Sequence, residues 1–471
     1  MKIVMFSINP LFPEKVTGGA SKHLYHIARH LGALGHEVDV VCAQAVDPLP
    51  AFSWADRVRV HPVLPFHLPF PQPYAVSGPD LALILDKLSA FLARADRFYI
   101  HDGEFLAPDL YQAIPTVVSL RDNIYPESVL GSFIGKYDDL ICVSPFSAEV
   151  VRATVGRFYP DLDERLHQVN NGVDFEMFKP VDPRPLAEEL GLDPARQTLL
   201  LHPHRPEPGK GLPETIQVTE ALVHRHGILD LKVLIPEWID GMTSQGEADF
   251  YHEMVQLMVD LDVRENFIFI PWMPAARMPE LYSLGQATLC LGNIVEAFGN
   301  VAYESLACGT PSLVARVGVH RTLLPDDLLD KVDFGDIPAA AERIAAVIRS
   351  GRRVSAKTMA YLRSELSFAA QVGRYAEIIT GAAKRPPMAF SALQPTPATP
   401  YRLAPWCELR GDRIYHDFRG RFEPAPSLGE LLAGTDRITK DDALKQGVAE
   451  ADWRRWLERT YLVPTRLEEE G

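Results

Sequence analysis

Short apolar runs alternate with longer amphipathic stretches over residues 1–385, and this alternation constrains the fold more than any single motif. It is the pattern of parallel α/β architecture, in which each strand is followed by a helix that packs back on the sheet. One set of strands is read at KIVMFSI (2–8), EVDVVCA (37–43), RFYIHD (97–102), TVVSL (116–120) and DLICVS (139–144). A second set is read at TLLLHP (198–203), LKVLIP (231–236), NFIFIP (266–271), ATLCLG (287–292) and PSLVAR (311–316). Between them, VNNGVDFEMFKP (169–180) is rich in turn formers and reads as the passage from one doubly wound domain to the next. Two such domains in series are expected to face each other across a cleft, because ligands bind at the carboxyl ends of strands in open α/β sheets.

The expected fold class is therefore α/β. Residues 1–185 form one Rossmann-like domain and 186–365 a second, with a helix at 366–384. RPPMAFSALQPTPATP (385–400) carries five prolines and no helical period, so it reads as a stiff, extended linker. Residues 401–471 form a small α+β unit. Within it, WCELRGDRIYHDFRGRFEPAP reads as a β-hairpin, and SLGELLAG, TKDDALKQGV and ADWRRWLERTYLVP read as three helices. That combination suggests a winged-helix-like module.

The net charge is −15, with no block of lysine and arginine, so no nucleic-acid partner is expected. In 401–471 alone, 12 Lys/Arg face 14 Asp/Glu, which extends that exclusion to the small module. The five cysteines show no C-x-x-C spacing, which argues against a zinc site and against disulfides. Two D-x-D triplets, 161–163 and 260–262, sit in helical-looking sequence away from strand ends, so no metal is expected there. The opening MKIVMFSINP does not read as a signal peptide, and no apolar run reaches ~18 residues. A cytoplasmic protein without a transmembrane segment is expected.

Three segments carry chemistry. In EAFGNVAYESLACGTPSLVA (296–315), Phe298, Gly299, Asn300 and Val301 fall at a helix start, where backbone N–H groups and the helix dipole favour an anion. Glu296 precedes that start and Glu304 is read in its first turn. In HPHRPEPGKGL (202–212), Arg205 and Lys210 lie on a loop at a strand's carboxyl end; an arginine fork and a lysine point charge are what a diphosphate requires. In NPLFPEKVTGGASKHLYHIARHL (9–31), Gly18 and Gly19 turn between a strand and a helix read from near Ala20, although the full G-x-G-x-x-G spacing is missing. His101-Asp102 and Arg121-Asp122 end two further strands. Each motif alone is also compatible with an ordinary solvated loop or helix start.

Taken in order, Gly18-Gly19, NNGVD (170–174), Arg205-x4-Lys210 and Glu296-x7-Glu304 make residues 1–385 resemble a GT-B glycosyltransferase, most similar to the retaining glycosyltransferase family 4. The resemblance implies an acceptor-side first domain, closed by the returning helix 366–384, and a second domain that binds a nucleotide sugar. It implies that Arg205 and Lys210 hold the donor diphosphate, that Glu304 binds the ribose and that Glu296 contacts the hexosyl hydroxyls. The backbone from Phe298 to Val301 would grip sugar and phosphate, and Gly19 would approach the phosphates. His101 would lie beside the reacting carbon, and the loop at Trp272-Met273 would meet the base. Where relatives often read T-x-H-D, this chain has Ser119-Leu120-Arg121-Asp122, which makes an anionic acceptor group conceivable.

The function expected is metal-independent hexosyl transfer with retention. No cofactor beyond a nucleoside diphosphate sugar is implied, and UDP-sugars are favoured on family frequency. The acceptor is open between a small molecule, glycan, lipid or peptide. The 401–471 unit either recruits that acceptor or serves structurally, as a cap on the cleft or as a homodimer contact. The alternatives are a GT-B-like nucleotide-sugar epimerase, a non-catalytic sugar-nucleotide-binding module, and a glycoside hydrolase using the two glutamates.

Overall fold

The computed structural model describes residues 1–13, 18–45, 47–66, 76–102, 107–122, 126–205, 207–237 and 245–465. Residues 14–17 of the Gly18-Gly19 motif, Pro206 of the Arg205–Lys210 motif and the tail 466–471 lie outside the described residues. By packing, the chain divides into two units. The first is Met1–Asn170 with Ala369–His416 and Phe422–Gly471; the second is Asn171–Phe368 with Asp417–Arg421.

The first unit is built on an eight-stranded sheet. Its strands are β1 (Lys2–Pro10), β2 (Glu37–Ala43), β3 (Phe52–Ala55), β4 (Val58–Leu64), β5 (Arg97–His101), β6 (Thr116–Leu120), β7 (Asp139–Cys142) and β8 (Leu166–Gln168). They lie in the order β3-β4-β2-β1-β5-β6-β7-β8. The β3–β4 pair is antiparallel and the others are parallel. The order reverses between β1 and β5, where a doubly wound sheet opens a crevice at its carboxyl edge. Ile3, Val4, Met5 and Phe6 are wholly buried, as a central parallel strand covered on both faces requires. The helices Gly18–Ala33 and Phe368–Gly381 cover one face, through Leu24, Ile27 and Leu31 from one and Tyr375 and Ile379 from the other. Ile84 and Leu88 with Ala148 and Val151 cover the opposite face.

The second unit carries six parallel strands: β9 (Thr198–Leu201), β10 (Leu231–Pro236), β11 (Phe267–Ile270), β12 (Ala287–Cys290), β13 (Ser312–Ala315) and β14 (Asp330–Val332). Their order is β11-β10-β9-β12-β13-β14, with the reversal between β9 and β12. In these two sheets the strands that the sequence reading omitted, β3, β4, β8 and β14, lie at or next to the edges. There polar residues break the apolar run (VRVHPVL, LHQ, DKV), Arg59 on an exposed side and Lys331 buried with its charge bonded to backbone carbonyls.

The C-terminal region adds β15 (Pro400–Leu403), β16 (Cys407–Arg410), β17 (Arg413–His416), β18 (Arg421–Pro424), β19 (Ile438–Thr439) and β20 (Leu462–Pro464). They form two three-stranded sheets, ordered β19-β15-β20 and β16-β17-β18. The hairpin is β16–β17, and the three helices are Pro426–Leu432, Lys440–Lys445 and Glu450–Glu458.

Three boundaries differ from the sequence reading. The helix read from near Ala20 already includes Gly18 and Gly19. The passage lies near residue 170 rather than 185, because 171–185 packs within the second unit: Val181 N–H donates to Ser283 Oγ at 3.1 Å, and the Phe178 ring meets Tyr282. Residues 385–400 are extended but fastened inside the first unit. Arg385 pairs with Asp139 at 3.3 Å, Arg165 donates to the Pro386 carbonyl at 2.6 Å, and Phe390 stacks on Phe158 at 5.7 Å.

Gly172 of the NNGVD motif shows why a glycine stands there. Val173 bridges Ser367, and a Cβ at residue 172 would lie 2.3 Å from Phe368 Cα, against backbone that cannot swing aside. Gly172→Ala should therefore destabilise the second unit by about 1–3 kcal/mol, the usual cost of overpacking. Chemical denaturation followed by tryptophan fluorescence checks this, and an unchanged midpoint would contradict the contact.

Candidate functional site

The strand reversal of the second unit brings the loop after β9 beside the loop after β12, and these loops carry Arg205, Lys210, Glu296, Phe298 and Gly299 of the residues singled out in the sequence. They meet backbone on backbone. Gly211 has φ +89°, and a Cβ on it would lie 2.4 Å from Gly292 N; a Cβ on Gly292 would lie 2.1 Å from the Gly209 carbonyl oxygen. Ile294 N–H donates to that Gly209 carbonyl at 3.1 Å. This approach sets Lys210 Nζ 2.6 Å from Glu296 Oε1, with 19% and 28% of their side-chain surfaces exposed.

Enclosure alone would raise the Glu296 pKa. The Lys210 charge and hydrogen bond, helped by His320 and His204, outweigh it and hold the carboxyl below the usual carboxylate range. Glu296 is therefore ionised and charge-paired. His320 is buried and His204 partly buried, and desolvation is the largest cause lowering each to about 4, so both are neutral at neutral pH. His204 Nε2 donates to the Leu289 carbonyl at 3.1 Å, which ties the two loops from a further side.

Gly299 adopts φ +76° and caps the helix Asn300–Ala307 without any side-chain cap bond, leaving the first-turn N–H groups of Asn300 and Val301 pointing out of the helix end. The His320 ring fills the space beneath Gly299: a Cβ there would sit 2.4 Å from His320 Cε1. Phe298 is buried against the Tyr303 ring at 5.0 Å.

Glu304 lies in the second turn of this helix, not the first as the sequence reading had it, because the helix begins only at Asn300. Dipole stabilisation consequently does not account for it. Its Oε2 accepts from the Tyr282 hydroxyl at 3.3 Å. Arg205 shares the loop with Lys210, but its side chain is half exposed and lies 3.6 Å from Glu207. Met273 is buried just beyond β11, at the far edge of the sheet, next to the exposed Trp272.

In the first unit, His101 ends β5 beside the strand reversal. Its Nε2 donates to the Ala20 carbonyl at 2.9 Å, and its Nδ1 accepts from the Tyr99 hydroxyl at 2.8 Å. The start of the Gly18–Ala33 helix and His101 are thereby joined. Burial is the largest cause lowering the His101 pKa to about 3, with the Arg121 charge adding to it. Arg121 donates to the Tyr375 hydroxyl at 3.1 Å, and its N–H donates to Asp102 Oδ1 at 3.0 Å. Asp102 holds φ +96°, a strained value for a residue with a side chain. Desolvation, then the Asp122 charge, push its pKa up to about 7. Sequence reasoning passed over His23, which is buried and hydrogen-bonded to Gln371 at 3.1 Å, and over His204, Asn293 and His320. The only signal for the first two was histidine on an otherwise apolar helix or strand end.

Asp102 gives a pH test. Folded, it keeps its proton to about pH 7, whereas in the unfolded chain a carboxyl loses it near pH 4, so the folded state binds more protons between these values. This contribution to stability is full below pH 4 and is lost as pH rises toward 7. Asp102→Asn cannot titrate, and it should gain stability relative to the wild type as pH is raised from 4.5 to 7. Urea midpoints of the two proteins that run parallel across this range would refute the assignment.

Among the described residues, no helix is long and apolar enough to cross a membrane, and no group of three or more His, Cys, Asp or Glu could hold a metal ion. Comparison with known proteins accords with this architecture. The model of Glycosyltransferase Family 4 matches residues 17–177, and that of Glycosyl transferases group 1 matches residues 193–362. A D-inositol 3-phosphate glycosyltransferase of Frankia alni is 30% identical over 349 residues, covering 68% of this chain and 83% of the relative. Sucrose-phosphate synthase from Thermosynechococcus elongatus superposes with a TM-score of 0.66 at 16% identity, over 81% of this chain and 98% of that one. Anabaena HepE in complex with UDP-glucose gives a TM-score of 0.60 at 17% identity, over 81% of this chain and 100% of that one. The two doubly wound units and the paired family matches identify the chain as a sugar-transferring enzyme: it belongs to the GT-B glycosyltransferases of the family-4 type.

Proposed function

We propose that the enzyme moves a hexosyl group from a nucleoside diphosphate sugar to an acceptor hydroxyl, with retained configuration and without a metal cofactor. The observation that carries this reading is the Lys210–Glu296 pair, held at 2.6 Å beside the uncapped helix start after Gly299. The leaving diphosphate gains negative charge as its bond to the sugar carbon breaks. Lys210 and the first-turn N–H groups are cationic or dipolar groups fixed in advance for that charge. Glu296, kept ionised, accepts hydrogen bonds from sugar hydroxyls, and Glu304 does the same for the ribose. Arg205 swings from Glu207 to the diphosphate when donor arrives. The acceptor hydroxyl attacks from the face that the diphosphate leaves and gives its proton to the departing phosphate oxygen, so no second carboxylate is needed as nucleophile.

HepE forms a complex with UDP-glucose, which favours a UDP-sugar as the donor here. The Frankia relative is named for a phosphorylated polyol, and an anionic acceptor of that kind suits Arg121 at the end of β6. A hydrolytic reading fits less well. A glycosidase needs one carboxyl held protonated as an acid, whereas Glu296 is driven toward the ionised form and Glu304 accepts a tyrosine hydroxyl.

A panel of nucleotide sugars with and without chelator, analysed by NMR of the anomeric proton, tests the whole reading. The expected result is turnover of one donor class, unaffected by chelator, with the product's anomeric configuration equal to the donor's. An inverted product removes the retaining mechanism, and loss of turnover on chelation removes metal independence.

Lys210→Ala and Glu296→Gln should each lower kcat on the order of 10²–10³, the usual effect of deleting one preorganised electrostatic group. Glu304→Ala should act mainly through the donor KM. Steady-state kinetics on variants of unchanged melting temperature check both, and wild-type rates would return these residues to a structural role.

A further inference from the structure

Asp417–Arg421 counts with the second unit, although its sequence neighbours His416 and Phe422 do not. Asp417 opens a single helical turn, Asp417–Arg419, and is 3% exposed. Its carboxylate pairs with the Arg321 guanidinium and accepts the Gly318 N–H at 3.3 Å. Those two partners are the ends of another short turn, Gly318–Arg321, so Asp417 grips that turn at both ends.

The gripped turn supports the Lys210–Glu296 site. Val319 N–H donates to the Glu296 carbonyl at 3.3 Å. His320 fills the space under Gly299, and its Nδ1 hydrogen-bonds the Tyr303 hydroxyl at 3.0 Å within the helix that follows. Gly420 (φ +61°) packs close to the same loops: a Cβ there would lie 2.7 Å from Asn293 Nδ2, and Asn293 Oδ1 lies 3.1 Å from where a Cβ on Gly209 would be. A carboxylate this deeply buried persists only where its charge is matched and its oxygens are bonded, so its partners are held to one geometry.

We infer that Asp417 is a positioning residue of the donor site. Through the turn Gly318–Arg321 it fixes the Glu296 backbone and the helix start after Gly299, and so sets the affinity for a nucleoside diphosphate. A side chain from the C-terminal region, outside both stretches matched by the family models, thereby serves the donor half. The inference rests on the donor reading proposed above.

The test is calorimetric titration of UDP, and separately GDP, into the full chain. Asp417→Asn keeps an oxygen for Gly318 N–H but removes the charge facing Arg321. In a variant folded at the assay temperature, Kd should rise ~10-fold or more, the scale of coupling within one bonded network. The double variant Arg321→Met/Asp417→Leu buries no charge and separates positioning from stability. Positioning predicts recovered melting temperature with weak binding, because Gly318 N–H still lacks its acceptor. An unchanged Kd in Asp417→Asn, or a wild-type Kd in the double variant, overturns the inference. Should Asp417→Asn not fold, the double variant alone decides, by the same criterion. A wild type that binds neither nucleotide overturns the donor reading and this inference with it. A wild type that binds, with variants unaffected, overturns this inference alone.

Discussion

The backbone contact between the loops after β9 and β12 is the constraint on which the rest of the second unit's site depends. Parallel strands leave their carboxyl ends on one edge, and the order reversal puts two of those ends side by side with no helix between them. Any pair of loops could sit there, but only glycines let them close to backbone contact, and Gly209, Gly211 and Gly292 do so here. With the backbones that near, an ordinary lysine side chain reaches Glu296 without stretching. The ion pair is therefore a consequence of the loop packing rather than its cause. A partly exposed pair of this kind adds little stability by itself; its value is that both charges are placed before any ligand arrives.

The fold was legible because central parallel strands announce themselves. TLLL, LKVLIP and ATLC are predominantly apolar, since both faces are covered, and every central strand read from the sequence is present. Edge strands were not legible, because polar residues interrupt their apolar pattern: Arg59 and His61 in β4, His167 in β8 and, in β14, Lys331, whose buried ammonium donates to the Arg321 and Leu324 carbonyls. For the site, the loops and their glycines could be placed from strand ends. The turn of Glu304 could not, because where a helix begins depends on a left-handed Gly299 that only tertiary packing on His320 explains. The role of Asp417 was beyond reach for a different reason. Its partners lie 96 and 99 residues away, and in HDFRGR the sequence shows only a turn between strands.

The histidines add a further distinction. His101, His204 and His320 sit at the edges of the two candidate sites, and desolvation drives each far below neutrality, to about 3 or 4. Both ring nitrogens of His101 are already spent on Tyr99 and Ala20. Groups so placed act as neutral, rigid packing and as bond donors that hold loops; they are ill suited to carry protons near pH 7. The charges set directly against each other in the second unit's site are Lys210 and Glu296. A reaction that separates charge along a breaking glycosyl–phosphate bond is served by such fixed charges. One that requires a proton to be delivered to the leaving oxygen before the bond breaks is not. A diphosphate leaves without prior protonation, whereas a sugar alkoxide does not, and the electrostatics of this site are for that reason an argument for the activated donor proposed above rather than for a simple glycoside.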